Sequence, residues 1–240
     1  MTHTFHSTTL REDRTINVYL PDNYHTDPGT DFPVIYLLDG SANEDFVHIA
    51  GLVQFLVMTG KMDPCIVVGI GNVDRKRDFT FPTTVEQDKI DFPTTGGSSA
   101  FISFLGEELL PLIKQQYRIG PTRIFIGQSL GGLLAAEVLL KHPDWFSHYV
   151  IVSPSIWWNN ESILADYAQL GGNLSAPEAR ALVAVGKEGK EMVGGAKKLV
   201  RVLKSQQHGP QTSLEYFPAE NHLTILHNAV YACLLKIFNP

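Results

Sequence analysis

Five runs along the chain are almost entirely apolar. Each is short enough for a strand and bounded by turn residues. Phe32–Leu38, Cys65–Ile70, Arg123–Ile126, Tyr149–Ser153 and Ala181–Val185 lack the apolar–polar alternation of a half-exposed strand, so they predict strands buried on both faces. Thr2–Leu10 and Thr15–Leu20 do alternate. With the charged Arg11-Glu12-Asp13-Arg14 between them, they predict an antiparallel edge hairpin. Leu214–Phe217 is a further short strand. Between the strands lie helical patterns: Glu44–Met58, Ser98–Tyr117, Leu130–Lys141, Ser162–Leu170, Glu191–Gln207 and His222–Phe238. Pro111 is expected to bend or interrupt the second of these. Gly71–Gly97 is long, polar and without periodicity, the mark of a functional or mobile loop.

Strands alternating with helices imply right-handed crossovers and a mostly parallel sheet with helices on both faces. An antiparallel N-terminal hairpin followed by that series predicts an α/β fold with an eight-stranded sheet, the α/β-hydrolase arrangement. The chain has 240 residues and 44% hydrophobic content, enough for one sizeable core. It contains no internal repeat or linker, so a single domain over residues 1–240 is expected.

The formal charge of −6 argues against a nucleic-acid partner. The one dense basic cluster, Arg75-Lys76-Arg77, is flanked by Asp74 and Asp78. Cys65 and Cys233 both fall in apolar stretches and read as buried free thiols. No apolar run approaches a membrane span, and the N-terminal residues lack the pattern of a secretory signal. A cytoplasmic protein with no membrane partner is the resulting expectation. Metal-ligand spacings and nucleotide-binding glycine motifs are missing, so no metal and no cofactor are expected.

Chemistry enters at Gly127-Gln128-Ser129-Leu130-Gly131. The pentapeptide G-x-S-x-G is weak alone, but here a buried strand precedes it and a run of helix formers follows. That context is a nucleophile elbow, in which a tight strand-to-helix turn lifts the Ser129 hydroxyl clear of the backbone. Serine needs a base, and near neutral pH that base is histidine. Of nine histidines, His222 follows the last strand and opens the final helix. His227 lies inside that helix, and His208 precedes the strand at the wrong end of the sheet.

The acid that orients the imidazole should follow a strand between Ser129 and His222. Glu188 fits best, with Glu191 and Glu161 as alternatives, and a Ser–His dyad with no acid also stands. The oxyanion donors are expected to be the Leu130 N–H and the Ser41 N–H of the Asp39-Gly40-Ser41 loop. The Asp39 carboxylate should point away and bond backbone amides or a cation. Trp157 and Trp158 sit at the C-terminal end of a central strand, where ligands bind in open parallel sheets. They are candidates for an aromatic or acyl pocket, packing of the sheet edge being the alternative. Arg77 is a candidate for an anionic substrate group, or else a partner of Asp78 or Asp39.

Val18-Tyr19-Leu20-Pro21, Tyr36-Leu37-Leu38-Asp39-Gly40, Val68-Gly69-Ile70, Arg77-Asp78-Phe79-Thr80, Gly127-Gln128-Ser129-Leu130-Gly131-Gly132 and Ser153-Pro154-Ser155-Ile156-Trp157-Trp158 occur in that order. The series resembles the esterase D-type family of α/β-hydrolases, and most its branch near the siderophore trilactone esterases. The resemblance implies Ser129 as nucleophile, His222 as base and the Asp39-Gly40-Ser41 loop as part of the oxyanion hole. The acid position varies in that family. Gln128 stands where many relatives have histidine, and the acidic chain shows few cations for an anionic ferric siderophore. The expected function is therefore hydrolysis of small or aryl carboxylic esters. A siderophore trilactone and acyl transfer on the same site are the alternatives; a binding protein on a hydrolase fold is a third, weaker reading.

Overall fold

The computed structural model describes residues 1–170 and 174–239. Strand β1 (Thr2–Ser7) pairs antiparallel with β2 (Glu12–Tyr19). The edge of β2 then runs antiparallel along β4 (Ile66–Ile70), with Val18 opposite Val68. From there the sheet is parallel through β3 (Phe32–Leu37), β5 (Ile119–Gln128), β6 (His148–Val152), β7 (Arg180–Gly186) and β8 (Gln211–Phe217). The spatial order is β1-β2-β4-β3-β5-β6-β7-β8.

Burial on both faces explains the unbroken apolar runs. Val34 and Tyr36 of β3 and Phe125 of β5 join one core, while Ile35, Leu37, Ile124 and Ile126 join the other. The second core is closed by α1 (Phe46–Met58) and the final helix. Next in the chain come two short helices, α2 (Arg75–Asp78) and α3 (Glu86–Asp91), inside the segment that reads as structureless in sequence. The first core is covered by α4 (Ser98–Phe104), α5 (Leu110–Gln116), α6 (Leu130–Lys141), α7 (Trp158–Gln169) and α8 (Gly189–Lys204). The last helix is α9 (Ile225–Phe238).

Two departures from the sequence pattern have physical causes. The helix expected over Ser98–Tyr117 is broken into α4 and α5 by a π-helical turn at Leu105–Leu109. Pro111 lacks an N–H and its ring excludes the carbonyl four residues back, so the ladder widens there. The charged Arg11–Arg14 stretch is not all turn, because β2 begins at Glu12. Arg14 is fully buried, its guanidinium bonded to Glu12 at 2.9 Å, Asp78 at 2.8 Å and the Gly71 carbonyl at 2.9 Å. A buried charge is tolerated when paired and hydrogen-bonded in this way.

Candidate active site

Between β5 and α6 the chain turns at Ser129, whose φ of 60° and ψ of −118° lie outside the region favoured by a non-glycine residue. Strain of this kind, worth about 1–3 kcal/mol, persists only where the surroundings over-determine it. Ser129 N–H donates to the Val152 carbonyl at 3.0 Å, and Ser155 N–H donates to the Ser129 carbonyl at 3.0 Å. A Cβ at position 127 would collide with the Gly131 carbonyl, so the turn admits only glycine there. The Leu130 N–H, at the first position of α6, has no partner among the described residues, as expected of a helix N-terminus.

The far side of the sheet edge supplies a hydrogen-bonded histidine and carboxylate. The loop after β8 holds His222, and its Nδ1 lies 2.6 Å from Oε2 of Glu188, in the loop after β7. The Glu188 side chain is 2% exposed. Its other oxygen accepts the Ser153 hydroxyl at 2.5 Å and the Gly186 N–H at 2.9 Å. The Gln128 side-chain amide donates to the His222 carbonyl, tying the residue before Ser129 to the histidine loop. Glu161 pairs instead with Lys198 at 2.6 Å, and exposed Glu191 lies in the first turn of α8. Neither hydrogen-bonds the imidazole.

Ser129, Ser155, Trp157, Glu188, Met192, Asn221 and His222 open into one cleft of about 440 Å³. The Ser129 hydroxyl lies 3.3 Å from Ser155 Oγ and makes no hydrogen bond to His222. Catalytic hydrogen bonds are often long in a ligand-free enzyme and tighten when substrate binds.

A second, polar hollow lies on the other side of Ser129 and His222, lined by Asp39, Glu44, Asp45 and Arg75. Arg75 grips Asp39 with two bonds, at 2.6 and 2.9 Å, and reaches the Gln128 carbonyl at 3.2 Å. Asn72 adds a bond to Asp39 at 2.6 Å and one to Glu44 at 2.7 Å. Burial opposes the charge on Arg75, but Asp39 outweighs it and keeps the guanidinium firmly protonated. Burial likewise works against the Glu44 carboxylate, yet bonds from Ser41 and Asn72 hold it below the usual carboxylate range.

Three sequence expectations change against this geometry. Trp158 is fully buried, its indole N–H spent on the Phe81 carbonyl at 2.9 Å, so only Trp157 lines the cleft. Arg77 is held by Glu12 at 2.6 Å and Asp78 at 2.7 Å, and these bonds raise its pKa; Arg75, two residues earlier, faces the hollow instead. The Ser41 N–H donates to Glu44 at 2.9 Å and so is occupied. Asp39 does bond a cation, as expected. Ser153, Ser155, Arg75 and Asn72 escaped the sequence reading. Their shared signal is position just past the ends of β6 and β4, the edge where parallel sheets carry ligands.

An eight-stranded sheet of this order with a serine at the elbow defines the α/β-hydrolase class. The profile of the Esterase family, described as "Putative esterase", matches residues 7–213, and the chain belongs to that family. Among relatives, it is 38% identical over 170 residues to the ferri-bacillibactin esterase BesA of Bacillus subtilis, covering 64% of this chain and 58% of that one. A 75-residue stretch is 40% identical to the siderophore enterobactin esterase of Emericella nidulans, covering 30% of this chain and 24% of the relative. The chain thus spans less than two thirds of either relative. Among solved structures, it resembles an IroE-like serine hydrolase from Shewanella oneidensis, with a TM-score of 0.90 and 26% identity over 99% of this chain and 79% of that one. It also resembles the BES protein from Bacillus cereus, with a TM-score of 0.84 and 28% identity over 100% of this chain and 95% of that one. Among the described residues no helix is long and apolar enough to cross a membrane.

Proposed function

We propose that the protein is a serine esterase that hydrolyses small or aryl carboxylic esters. The observation that carries this reading is the strained Ser129 sharing one cleft with the His222–Glu188 pair. Ser129 Oγ attacks the ester carbonyl and its proton passes to His222 Nε2. Glu188 holds Nδ1–H, and so keeps the imidazole in the tautomer that can accept that proton. The developing oxyanion is met by the Leu130 N–H at the start of α6, which has no partner among the described residues. Collapse breaks the bond to the alcohol oxygen, which takes the proton from His222. Water, deprotonated by the same imidazole, then attacks the acyl-serine and returns the enzyme.

Trp157 and Met192 give the cleft a short apolar wall, suited to a compact ring or a short acyl group. The Gly71–Gly97 segment carries nine charged residues between Asp74 and Asp91, among them Asp74, Arg75 and Arg77. It offers no surface for a long acyl chain or a lipid interface. The names of the relatives support a second reading, a siderophore trilactone as substrate. Against it, Arg75, the cation of the polar hollow, is already paired with Asp39.

An ester panel tests both readings. Turnover of p-nitrophenyl acetate or butyrate, falling steeply by palmitate, supports the first. Turnover of a trilactone far above that of the simple esters selects the second. A rate that climbs with acyl length, or jumps at a lipid–water interface, overturns the small-ester reading. Added alcohols, with product analysis, separate hydrolysis from acyl transfer.

A further inference from the structure

Ser153 is fully buried, it lies just past the end of β6, and its φ of 41° is one that an L side chain rarely adopts. Glycine would take this conformation without strain. The backbone is pinned there by the Ser153 N–H bond to the Ala184 carbonyl at 2.7 Å, with Pro154 following. What the serine adds over glycine is one hydroxyl. That hydroxyl meets Oε1 of Glu188 at 2.5 Å, in a pocket where the carboxylate is 2% exposed and water has little access.

We propose that Ser153 is a positioning residue: its hydroxyl and the Gly186 N–H together clamp Oε1 of Glu188, leaving Oε2 as the oxygen offered to His222 Nδ1. The inference rests on the Ser129–His222–Glu188 reading. A carboxylate can rotate about its last bond and exchange its two oxygens. Two donors converging on Oε1 remove that freedom, and one of them is a hydroxyl bonded to an anion, a short and strong class of hydrogen bond. The Gly186 donor is the last residue of β7, two positions before Glu188, and ties the carboxylate only to its own strand. Ser153 comes from the neighbouring strand end, so it references the carboxylate to the sheet edge that also carries Ser129. Backbone strain at a position where a polar side chain reaches into the site is how such a group is held in reach.

The test compares Ser153→Gly with Ser153→Ala, each measured for kcat, KM and folding by thermal melt. Glycine relieves the strained φ, so Ser153→Gly stays folded even where alanine does not. The expected result is a fall in kcat of about 10- to 100-fold with KM changed less than about twofold, the pattern of a lost supporting hydrogen bond. The strongly deshielded proton of the His222–Glu188 bond, read by ¹H NMR, should shift or broaden; a merely structural role would leave it in place. Folded Ser153→Gly with wild-type kcat and an unchanged resonance overturns the proposal. Glu188→Gln, run in parallel, separates the two levels. If it collapses turnover while Ser153→Gly does not, Ser153 alone is misassigned; if Glu188→Gln leaves turnover intact, the triad reading fails and the clamp falls with it.

Discussion

Two buried carboxylates flank Ser129, Glu188 on the β7 side and Asp39 on the β3 side, and they are held in opposite ways. Asp39 accepts a two-pronged bond from Arg75 and a third from Asn72. Its charge is neutralised by a permanent cation, and it has nothing left to offer a substrate or an imidazole. Glu188 meets no lysine or arginine. Its bonds come from a neutral hydroxyl, a backbone amide and a histidine. Its charge is therefore available to stabilise an imidazolium when one forms. The same chemical group is a strut on one side of Ser129 and, in the proposed mechanism, an acid–base partner on the other, and the difference lies in the donors, not in burial.

The largest test of this contrast is removal of the proposed nucleophile that lies between the two carboxylates. Ser129→Ala should lower kcat by about four to six orders of magnitude with the fold intact by circular dichroism. Folded mutant with near wild-type turnover would dismantle the assignment.

Glu188→Gln should cost about two to four orders of magnitude in kcat, because an amide cannot hold the required tautomer. Glu191→Gln and Glu161→Gln should stay within about twofold, since neither side chain reaches His222. Equal small effects from all three would point to a Ser–His dyad.

Asp39→Asn should behave differently in kind. It leaves Arg75 without its anion, so unfolding free energy in denaturant should drop by about 1–3 kcal/mol. That is less than for a fully buried pair, because Arg75 is partly exposed. Its kcat should fall by about tenfold or less. A loss of turnover matching Glu188→Gln, at unchanged stability, would erase the distinction between the two carboxylates.

The smallest effect comes from the opposite end of β6. Burial, helped by nearby Arg180, pushes the His148 pKa down from 6.5 to about 4. The unfolded chain takes up a proton below its own pKa that the folded chain refuses until pH is lower still. The stability tied to neutral His148 is therefore complete above about pH 6.5 and is lost as pH falls toward about 4. Thermal melts across that range should show a shallower acid slope in His148→Gln than in the parent; identical slopes would count against it.

Much of this is visible in the chain as written. The elbow and α6 follow from local pattern, the glycines at 127 and 131 mark the turn, and the order serine, acid, histidine points to His222. The sequence narrows the acid to three glutamates and favours Glu188, but does not settle the choice, because it depends on which loop folds over the imidazole. It also leaves Arg77 open between a substrate group and an ion pair with Asp78, the second of which the structure shows, and it does not single out Arg75. Arg77 and Arg75 are two apart on a single helical turn, so they face different ways, and which one meets the cleft is settled by how α2 docks. Trp157 and Trp158 divide for the same reason, one lining the cleft and the other sealed beneath Phe81.

By itself, the sequence determines the alternation of strand and helix, the doubly covered parallel sheet and the kind of chemistry on offer, because these depend on near-neighbour periodicity and on residue type. The tertiary structure alone decides who bonds whom. Ser153 and Glu188 are 35 residues apart, Glu188 and His222 are 34, and Asp39 and Arg75 are 36. Such partners meet only after the strands have taken their places, and hydrogen bonds act over about 3 Å. No local pattern in the chain records a contact of that length in sequence and that shortness in space.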